Sequence, residues 1–358
     1  MTLNSLGLPK SPQQTKVCVA MSGGVDSSAT AAMLKKEGYD IFGITMDLLT
    51  PPYRPEHSSV ADAAKVADKL GIPHCFLDLR EKFAREVVDY FADSYLHGLT
   101  PSPCIMCNRH IKLGALADKA RSLGADVIVT GHYADIRLTS RGVELHRAED
   151  LRRDQSYFLF AVDKHTLQML RCPLASYTKA QTRAIARDAG LEVSQKPDSQ
   201  DICFVADGNY ASLINQLRPK TKPVPGDILR PGSRPPQRHY PLYRRSAARP
   251  WHRRQRRRPL CAENRRRQQS NYRRQQRRTV MPKSPHQRRQ LAWRGTAPAS
   301  GTDDQAAFAA AVPATVVFLE DGWAEITLHE EFYGVAPGQG CCFYDGSRVL
   351  GGGIIAAF

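Results

Sequence analysis

Seven consecutive residues, Ser22-Gly23-Gly24-Val25-Asp26-Ser27-Ser28, combine two glycines, three hydroxyls and one acid. Adjacent glycines let backbone N–H groups approach an anion closely, the serines add hydroxyl donors, and Asp26 can hold Mg²⁺ or orient a nucleotide. The run has no lysine of the Walker type, so it is a phosphate loop of another kind. Farther along, Pro101-Ser-Pro-Cys104-Ile-Met-Cys107-Asn108 sets two thiols three residues apart, before a helix expected from about His110. A thiolate at Cys107 would then sit by a helix N-terminus and near Arg109, both of which lower a thiol pKa and make it reactive at neutral pH. A third thiol, Cys203, lies in the polar run Lys196-Pro-Asp-Ser-Gln-Asp-Ile-Cys203-Phe204.

These residues need a scaffold, and apolar periodicity supplies one. Lys16 to Ala20 predicts a strand ending at the phosphate loop, and a helix follows as far as Glu37. Ile41 to Met46, Cys75 to Leu79 and Asp126 to Thr130 predict further strands. Val60, Ala63, Ala64, Ala67 and Leu70, and then Leu113, Leu116, Ala117, Ala120 and Leu123, keep the spacing of buried helix faces. Alternating strands and helices imply an α/β fold with a parallel sheet covered on both sides. Ile136 to His146 predicts a hairpin, and Lys179 to Ala189 is the clearest helix of a small helical module. From Val316 to Ile355, short apolar runs broken by Asp-Gly at 321 and 345 and Pro-Gly at 337 predict a small β-domain.

The phosphate loop resembles the SGGxDS loop of the N-type PP-loop ATP pyrophosphatases, which split ATP between the α and β phosphates. Five segments in order, SGGVDSS at Ser22, PCxxCN at Pro103, GHY at Gly131, DQSYFL at Asp154 and DSQDICF at Asp198, are similar to the hallmarks of bacterial tRNA 2-thiouridylases. The resemblance covers residues 16 to about 229 and the tail from about 313. It implies that ATP with Mg²⁺ is held by Ala20, Met21, Ser22, Gly23, Gly24, Val25, Asp26 and Ser27, with Met46 and Gly131 around the adenosine. Arg153, Asp154, Gln155 and Ser156 would contact tRNA. Cys203 would take persulfide sulfur from a donor protein and attack an adenylated uridine at the wobble position. Cys107 would release that sulfur by forming a disulfide with Cys203, or would act as an acid. The enzyme implied is cytoplasmic and monomeric. Adenylation suits the chemistry, because a carbonyl oxygen leaves poorly until it becomes part of AMP, and a covalent sulfur carrier divides the substitution into easier steps.

The family often has Asp where this chain has Cys104, so a second reading stands beside the first: Cys104, Cys107 and Cys203 as ligands of a [4Fe–4S] cluster. A structural CxxC is a third. Cys18, Cys75, Cys172, Cys341 and Cys342 lack a polar motif and read as buried small hydrophobes. His132 and Asp154 also have a structural reading as hydrogen-bonded groups.

The chain has 358 residues and is 42% hydrophobic, enough for two or three domains, and no apolar run approaches the length of a membrane span. Nine cysteines, an odd count without a short regular framework, favour reduced thiols. The net charge of +16 would point to nucleic acid, but it is concentrated. Arg230 to Trp293 holds 21 Lys and Arg and one acid, Glu263, which leaves the rest of the chain at −4. That tract has only four residues drawn from Leu, Ile, Val and Phe, too few to offset the cost of ordering it, so disorder is expected.

An Arg-rich RNA-binding arm is one reading of the tract. A frameshift explains more. The resembling family has a β-barrel domain here, opened by a sequence like GIIHYTVGQRRGLGI. Moving the degenerate codons of His239 to His252 forward by one nucleotide permits I-I-H-Y-T-V-G-Q-R-R-G-L-G; the same shift permits V-L-G-x-H-S-G across Arg230 to His239 and V-N-W-L-G across Arg289 to Arg294. The expected organisation is therefore a flexible N-terminus (1–15), a PP-loop domain (16–160), a helical module with the persulfide-cysteine loop (161–229), a frameshifted, disordered segment (230–293) in place of the central β-domain, and a C-terminal β-domain remnant (294–358). Two other functions remain open: a PP-loop ligase that adenylates a small molecule, which would need neither Cys107 nor Cys203, and a basic RNA-binding protein with a vestigial ATP site.

Overall fold

A computed structural model describes residues 3–50, 59–198, 202–205, 208–221, 279–282, 304–307, 311–319, 323–329 and 335–356. Among them no helix is long and apolar enough to cross a membrane. The chain forms two units, one of Met1–Ala92, Ser102–Thr221 and Ser347–Val349, the other of Asp93–Pro101, Lys222–Gly346 and Leu350–Phe358.

In the first unit, β1 (Lys16–Ala20), α1 (Val25–Lys36), β2 (Asp40–Asp47), α2 (Ser59–Leu70) and β3 (His74–Asp78) alternate as the periodicity requires. Two short helices, α3 (Arg80–Phe83) and α4 (Tyr90–Leu96), flank a π-helical turn over Ala84–Asp89. After them come α5 (Pro103–Met106), a π-helix over Cys107–Ala115, α6 (Leu116–Ser122) and β4 (Val127–Val129). The sheet is parallel, with order β3-β2-β1-β4 and then a fifth strand absent from the sequence reading. Alternation along β1 sends Val17 and Val19 to one face, against Ala29, Ala63, Ala67 and Ala186, and Cys18 to the other, against Leu116, Ala117 and Ala120. Both faces are covered, as a parallel sheet requires.

The hairpin pairs β5 (Ala134–Thr139) with β6 (Gly142–Arg147), with Ile136 opposite Leu145. Helix α7 (Lys164–Met169) leads into the fifth strand, β7 (Leu170–Arg171), and α8 (Lys179–Asp188) then packs its Ala186 into the same core as α1. The helical module expected after residue 160 therefore completes the sheet domain rather than standing apart. A strand of two residues has too little periodicity to be read, and Arg171 becomes visible only in place: its guanidinium donates to the carbonyls of Leu6, Gln168 and Leu170 at 2.6–2.8 Å.

The bond to Leu6 also accounts for the N-terminus. Residues expected to be flexible are held from Leu3 on, with Leu6 buried and Asn4 bonded to Leu6, Leu8, Lys10 and Thr15. Helix α9 (Tyr210–Leu217) begins at an Asn209 cap.

The second unit is antiparallel. Strands β8 (Thr279–Pro282), β9 (Asp304–Ala307), β10 (Ala311–Phe318), β11 (Trp323–Leu328) and β12 (Gly340–Asp345) lie in the order β12-β9-β10-β11-β8. Val312, Ala314, Ile326, Leu328, Cys341 and Phe343 form its core. The Asp345-Gly346 turn falls where expected, with Gly346 at φ +56°, and leads into β13 (Arg348–Ile354). The turn at 321 and most of 230–293, including the frameshift reading, lie outside the described residues. Within that tract Thr279–Pro282 pairs with β11 and is a strand rather than disordered; Thr-Val-Met is its one β-prone run.

Ser347–Val349 belongs to the first unit through a buried ionic contact. Arg348 pairs with His146 in register and reaches Glu144 at 3.3 Å, while His146 sits 3.1 Å from Glu144 and 3.0 Å from the Ser347 hydroxyl. Burial opposes ionisation of Glu144, but His146, Arg348 and Arg141 outweigh it and hold the carboxyl below its usual range. Stability from this group is therefore present above the ordinary carboxylate range and lost as pH falls through the depressed folded value. Glu144→Gln should lower the thermal midpoint by a few degrees near neutral pH and by less in acid, where wild type also loses the charge; equal loss at both pH values would contradict the assignment.

Candidate functional site

The phosphate loop starts from a pinned point. Met21 is buried, its N–H donates to the Ile44 carbonyl at 2.9 Å, and its own carbonyl accepts from the Thr45 hydroxyl, which also lies 2.8 Å from His74. Gly43 makes room: a Cβ there would strike the Met21 sulfur. Gly23 turns the chain at φ +68°, a conformation side chains resist. Ser27 then ties the loop to itself, its hydroxyl 3.1 Å from the N–H and hydroxyl of Ser22.

Helix α1 opens at Gly24, and among the described residues no side chain caps it, which leaves the first-turn N–H groups open to an anion. Ser28 departs from its expected role as a phosphate donor. It is fully buried and donates back to the Gly24 carbonyl at 2.8 Å.

Gly131 closes the loop from the end of β4. A Cβ on it would stand 2.6 Å from the Ser27 nitrogen and 2.8 Å from the Asp26 carbonyl carbon, so the first turn of α1 packs directly on bare backbone. Met46, at the end of β2, is partly buried against the opposite face of the sheet from α1. Ala20, Met46 and Gly131 thus come from the carboxyl ends of β1, β2 and β4, which surround the switch point of the strand order.

Asp26 is already partnered. Lys179 meets its two oxygens at 2.7 and 2.8 Å, and the Tyr133 hydroxyl lies 2.9 Å from one of them. Burial, and secondarily Asp26, push the Tyr133 phenol well above its ordinary value, so it stays protonated. A Mg²⁺ at Asp26 would share the carboxylate with Lys179. Lys196 bonds to Asp62 at 2.7 Å and to the Gly23 carbonyl at 3.3 Å, steadying the loop from the far side.

The segment Arg153 to Ser156, expected to contact tRNA, is built into the same frame. Asp154 accepts from the Ala148 and Ser156 backbones and from the Ser156 hydroxyl, which is fully buried. Gln155 exchanges two hydrogen bonds with the Tyr133 backbone. Arg153 alone of the four projects outward, pairing with Asp198 at 2.8 Å.

The thiols need one correction. The helix begins at Pro103 rather than near His110, so Cys104, which is exposed, occupies the first turn and Cys107 lies buried at the junction with the π-helix. Burial pushes the Cys107 thiol up to about 12, and the opposing cation is Lys112, not Arg109. The wide π turn places Lys112 five residues on and on the same side, and Gly114 permits that turn, since a Cβ there would lie 2.8 Å from the Arg109 carbonyl oxygen. Cys203 reaches solvent yet is closely surrounded; burial raises its thiol and Lys112 again opposes. Its neighbour Phe204 anchors the loop, edge-on to Phe83 and Phe91 at 5.7 and 5.2 Å.

Lys112 is half-buried and has no carboxylate partner among the described residues. Burial works against its charge, but Cys107, Cys104 and Cys203 outweigh it and raise the ammonium above its usual value. His132, depressed to about 3 by burial and then by Lys112, is a neutral imidazole beside the Thr130 hydroxyl at 2.9 Å. The three thiols of the cluster reading therefore all couple electrostatically to one ammonium. Among the described residues, no group of three or more His, Cys, Asp or Glu is arranged to hold a metal ion. Lys112 escaped the sequence reading because its signal, a lysine five residues beyond the second cysteine, needs a π turn to have meaning.

An uncapped helix start at the switch point of a parallel sheet, opposite a backbone glycine, defines a PP-loop nucleotide-binding protein of the α/β class. A family model described as tRNA methyl transferase HUP domain matches residues 15–207, and one described as aminomethyltransferase beta-barrel domain matches 307–355. The tRNA-specific 2-thiouridylase MnmA of Rhodospirillum centenum is 43% identical over 99% of this chain and 94% of its own, and that of Parvibaculum lavamentivorans is 41% identical over the same shares. The chain belongs to the tRNA-specific 2-thiouridylase family. It also resembles a 4-thiouridine synthetase–RNA complex with bound ATP, at a TM-score of 0.38 and 20% identity over 57% of this chain and 50% of that one, too distant to bear on the site.

If Lys112 lowers the cost of thiolate formation, Lys112→Met should shift the pH midpoint of Cys107 and Cys203 alkylation upward, and Lys112→Arg should restore most of it. Peptide-resolved alkylation rates between pH 6 and 10 measure this; an unmoved midpoint in the Met variant would refute the role.

Proposed function

We propose that the chain is an ATP-dependent tRNA-uridine 2-sulfurtransferase. The observation that carries this reading is that one unit holds both an uncapped helix start after β1 and three thiols that couple to a single half-buried ammonium, Lys112. Uridine oxygen attacks the α-phosphorus of ATP and pyrophosphate leaves, so the oxygen becomes part of AMP. A persulfide on Cys203 then attacks the uridine carbon through its outer sulfur and AMP departs. Cys107 thiolate attacks the inner sulfur; the S–S bond breaks, its outer sulfur stays on carbon as the thiocarbonyl, and a Cys107–Cys203 disulfide forms. An external thiol reductant returns both cysteines for the next turn.

Each protein group has a part in this scheme. The first turn of α1 with Gly23 and Gly24 receives phosphate, Met46 and Gly131 flank the adenosine, and Mg²⁺ accompanies the phosphates. Asp154, Gln155 and Ser156 shape the segment that presents Arg153 to tRNA, because their polar atoms face inward. Lys112 stabilises the attacking and leaving thiolates. A sulfur-donor protein loads Cys203, whose thiol reaches solvent, and the wobble uridine is the target that the family resemblance supports.

Cys203→Ser and Cys107→Ser should each cut thiouridine formation by about 100-fold or more while tRNA-dependent pyrophosphate release persists. Undiminished thiolation in either variant sinks the sulfur role, whereas adenylation of a small molecule without tRNA would favour the ligase reading. The frameshift reading of 230–293 predicts that resequencing the encoding DNA finds a one-nucleotide difference at each edge of the tract, and that restoring the frame raises tRNA affinity; an unchanged DNA sequence and specific tRNA binding lost on deleting the tract would favour the basic arm.

A further inference from the structure

A cleft of about 450 Å³ lies on the α1 face of the sheet, between α2 and the chain that follows α8. Its floor is aliphatic, since Val66, Leu191 and Val193 line it and are buried in the same core as α1. Its walls are charged. Lys65 and Lys69 stand one helical turn apart on α2, and Glu192 and Lys196 line the other side. Lys196 is taken by Asp62 at 2.7 Å, whereas Lys65 and Lys69 have no carboxylate partner among the described residues. Three ammoniums against two carboxylates leave the cleft positive. Gly190, at φ +70°, brings bare backbone under Lys69: a Cβ there would meet its Cε at 3.6 Å and its Nζ at 3.9 Å. The lysine is thereby laid along the rim of the cleft, against the end of α8.

An open cleft with an aliphatic floor and unpaired ammoniums along one wall suits a ribose-phosphate chain, whose sugars cover apolar surface while its phosphates meet the lysines. Outside Arg230 to Trp293 the chain sums to −4, so a polyanion is held there only where cations gather locally. The cleft also adjoins the nucleotide site, because Lys196 on its rim donates to the Gly23 carbonyl at 3.3 Å.

We propose that this cleft is a docking site for the ribose-phosphate backbone of the tRNA substrate, with Lys65 and Lys69 as its phosphate contacts. The proposal rests on the tRNA reading above and adds a site apart from Arg153 to Ser156. Backbone contacts of this kind carry no sequence information; they fix register and orientation. A strand anchored there is fixed beside the phosphate loop, where the uridine oxygen has to meet the α-phosphorus.

Amine-reactive labelling of the full chain, read peptide by peptide, tests the site without turnover. Saturating tRNA should slow labelling of Lys65 and Lys69 by about 5-fold or more, and of Lys119 on α6, which packs on the opposite face of the sheet, by less than about 2-fold. Equal slowing at all three lysines, or none at Lys65 and Lys69, overturns the proposal. Inorganic phosphate and polyglutamate replace tRNA in two further arms. Protection by phosphate as strong as by tRNA would make the cleft a site for the free ion, and equal protection by polyglutamate a surface for any acidic chain; either result overturns tRNA docking.

The double variant Lys65→Gln with Lys69→Gln gives a second measure. It should lower the slope of log affinity for tRNA against log salt by about 2, while ATP affinity stays within about 2-fold. An unchanged slope refutes the phosphate contacts. Both side chains are exposed, so the substitutions leave the core intact, which thermal midpoints check. Wild type that binds tRNA no more tightly than an unrelated RNA of equal length would instead overturn the reading beneath, and the proposal with it.

Discussion

The first turn of α1 leaves its N–H groups without a side-chain cap, and the surrounding structure is arranged around that deficit. A capped helix start would be more stable by about 1 kcal/mol, so the omission is a cost the fold bears. It is bearable because everything else about the loop is fixed: Met21 is tied to β2, Ser27 to Ser22, and Gly131 presses bare backbone against the turn. The donors are held in place before any anion arrives, so little reorganisation is needed on binding.

Charge around the loop is balanced rather than minimised. Asp26 would repel a polyphosphate if it stood alone, and Lys179 offsets it; burial opposes ionisation of Asp198, and Lys179 and Arg153 outweigh it and hold the carboxyl below its usual range. The thiol side follows the same logic with opposite signs. Cys107 and Cys203 are raised by burial, and Lys112 is the opposing charge. A thiol held in its neutral form by burial is protected from idle oxidation.

Much of this was legible from residue order. Strands at 16–20, 40–47 and 74–78, the α1 start and the hairpin at 134–147 carry strong local signals, namely β-branched runs, a Gly-Gly turn and alternation, and they differ from expectation by a residue or two. The two-residue strand β7 and the π turn after Cys107 have no such signal, and the second misled the reading of the Cys107 environment. Placing the helix start near His110 put Cys107 at a favourable N-terminus, whereas a start at Pro103 puts it inside.

Sequence by itself determined the chemical inventory: which residues could bind phosphate, which could carry sulfur, and that a parallel sheet would present them, because those properties depend on side-chain type and short-range spacing. Only the tertiary structure decided which charges meet. Lys179 and Asp26 lie 153 positions apart and Arg153 and Asp198 lie 45 apart. Their pairing follows from how α8 packs on α1, a consequence of core burial that no local pattern encodes.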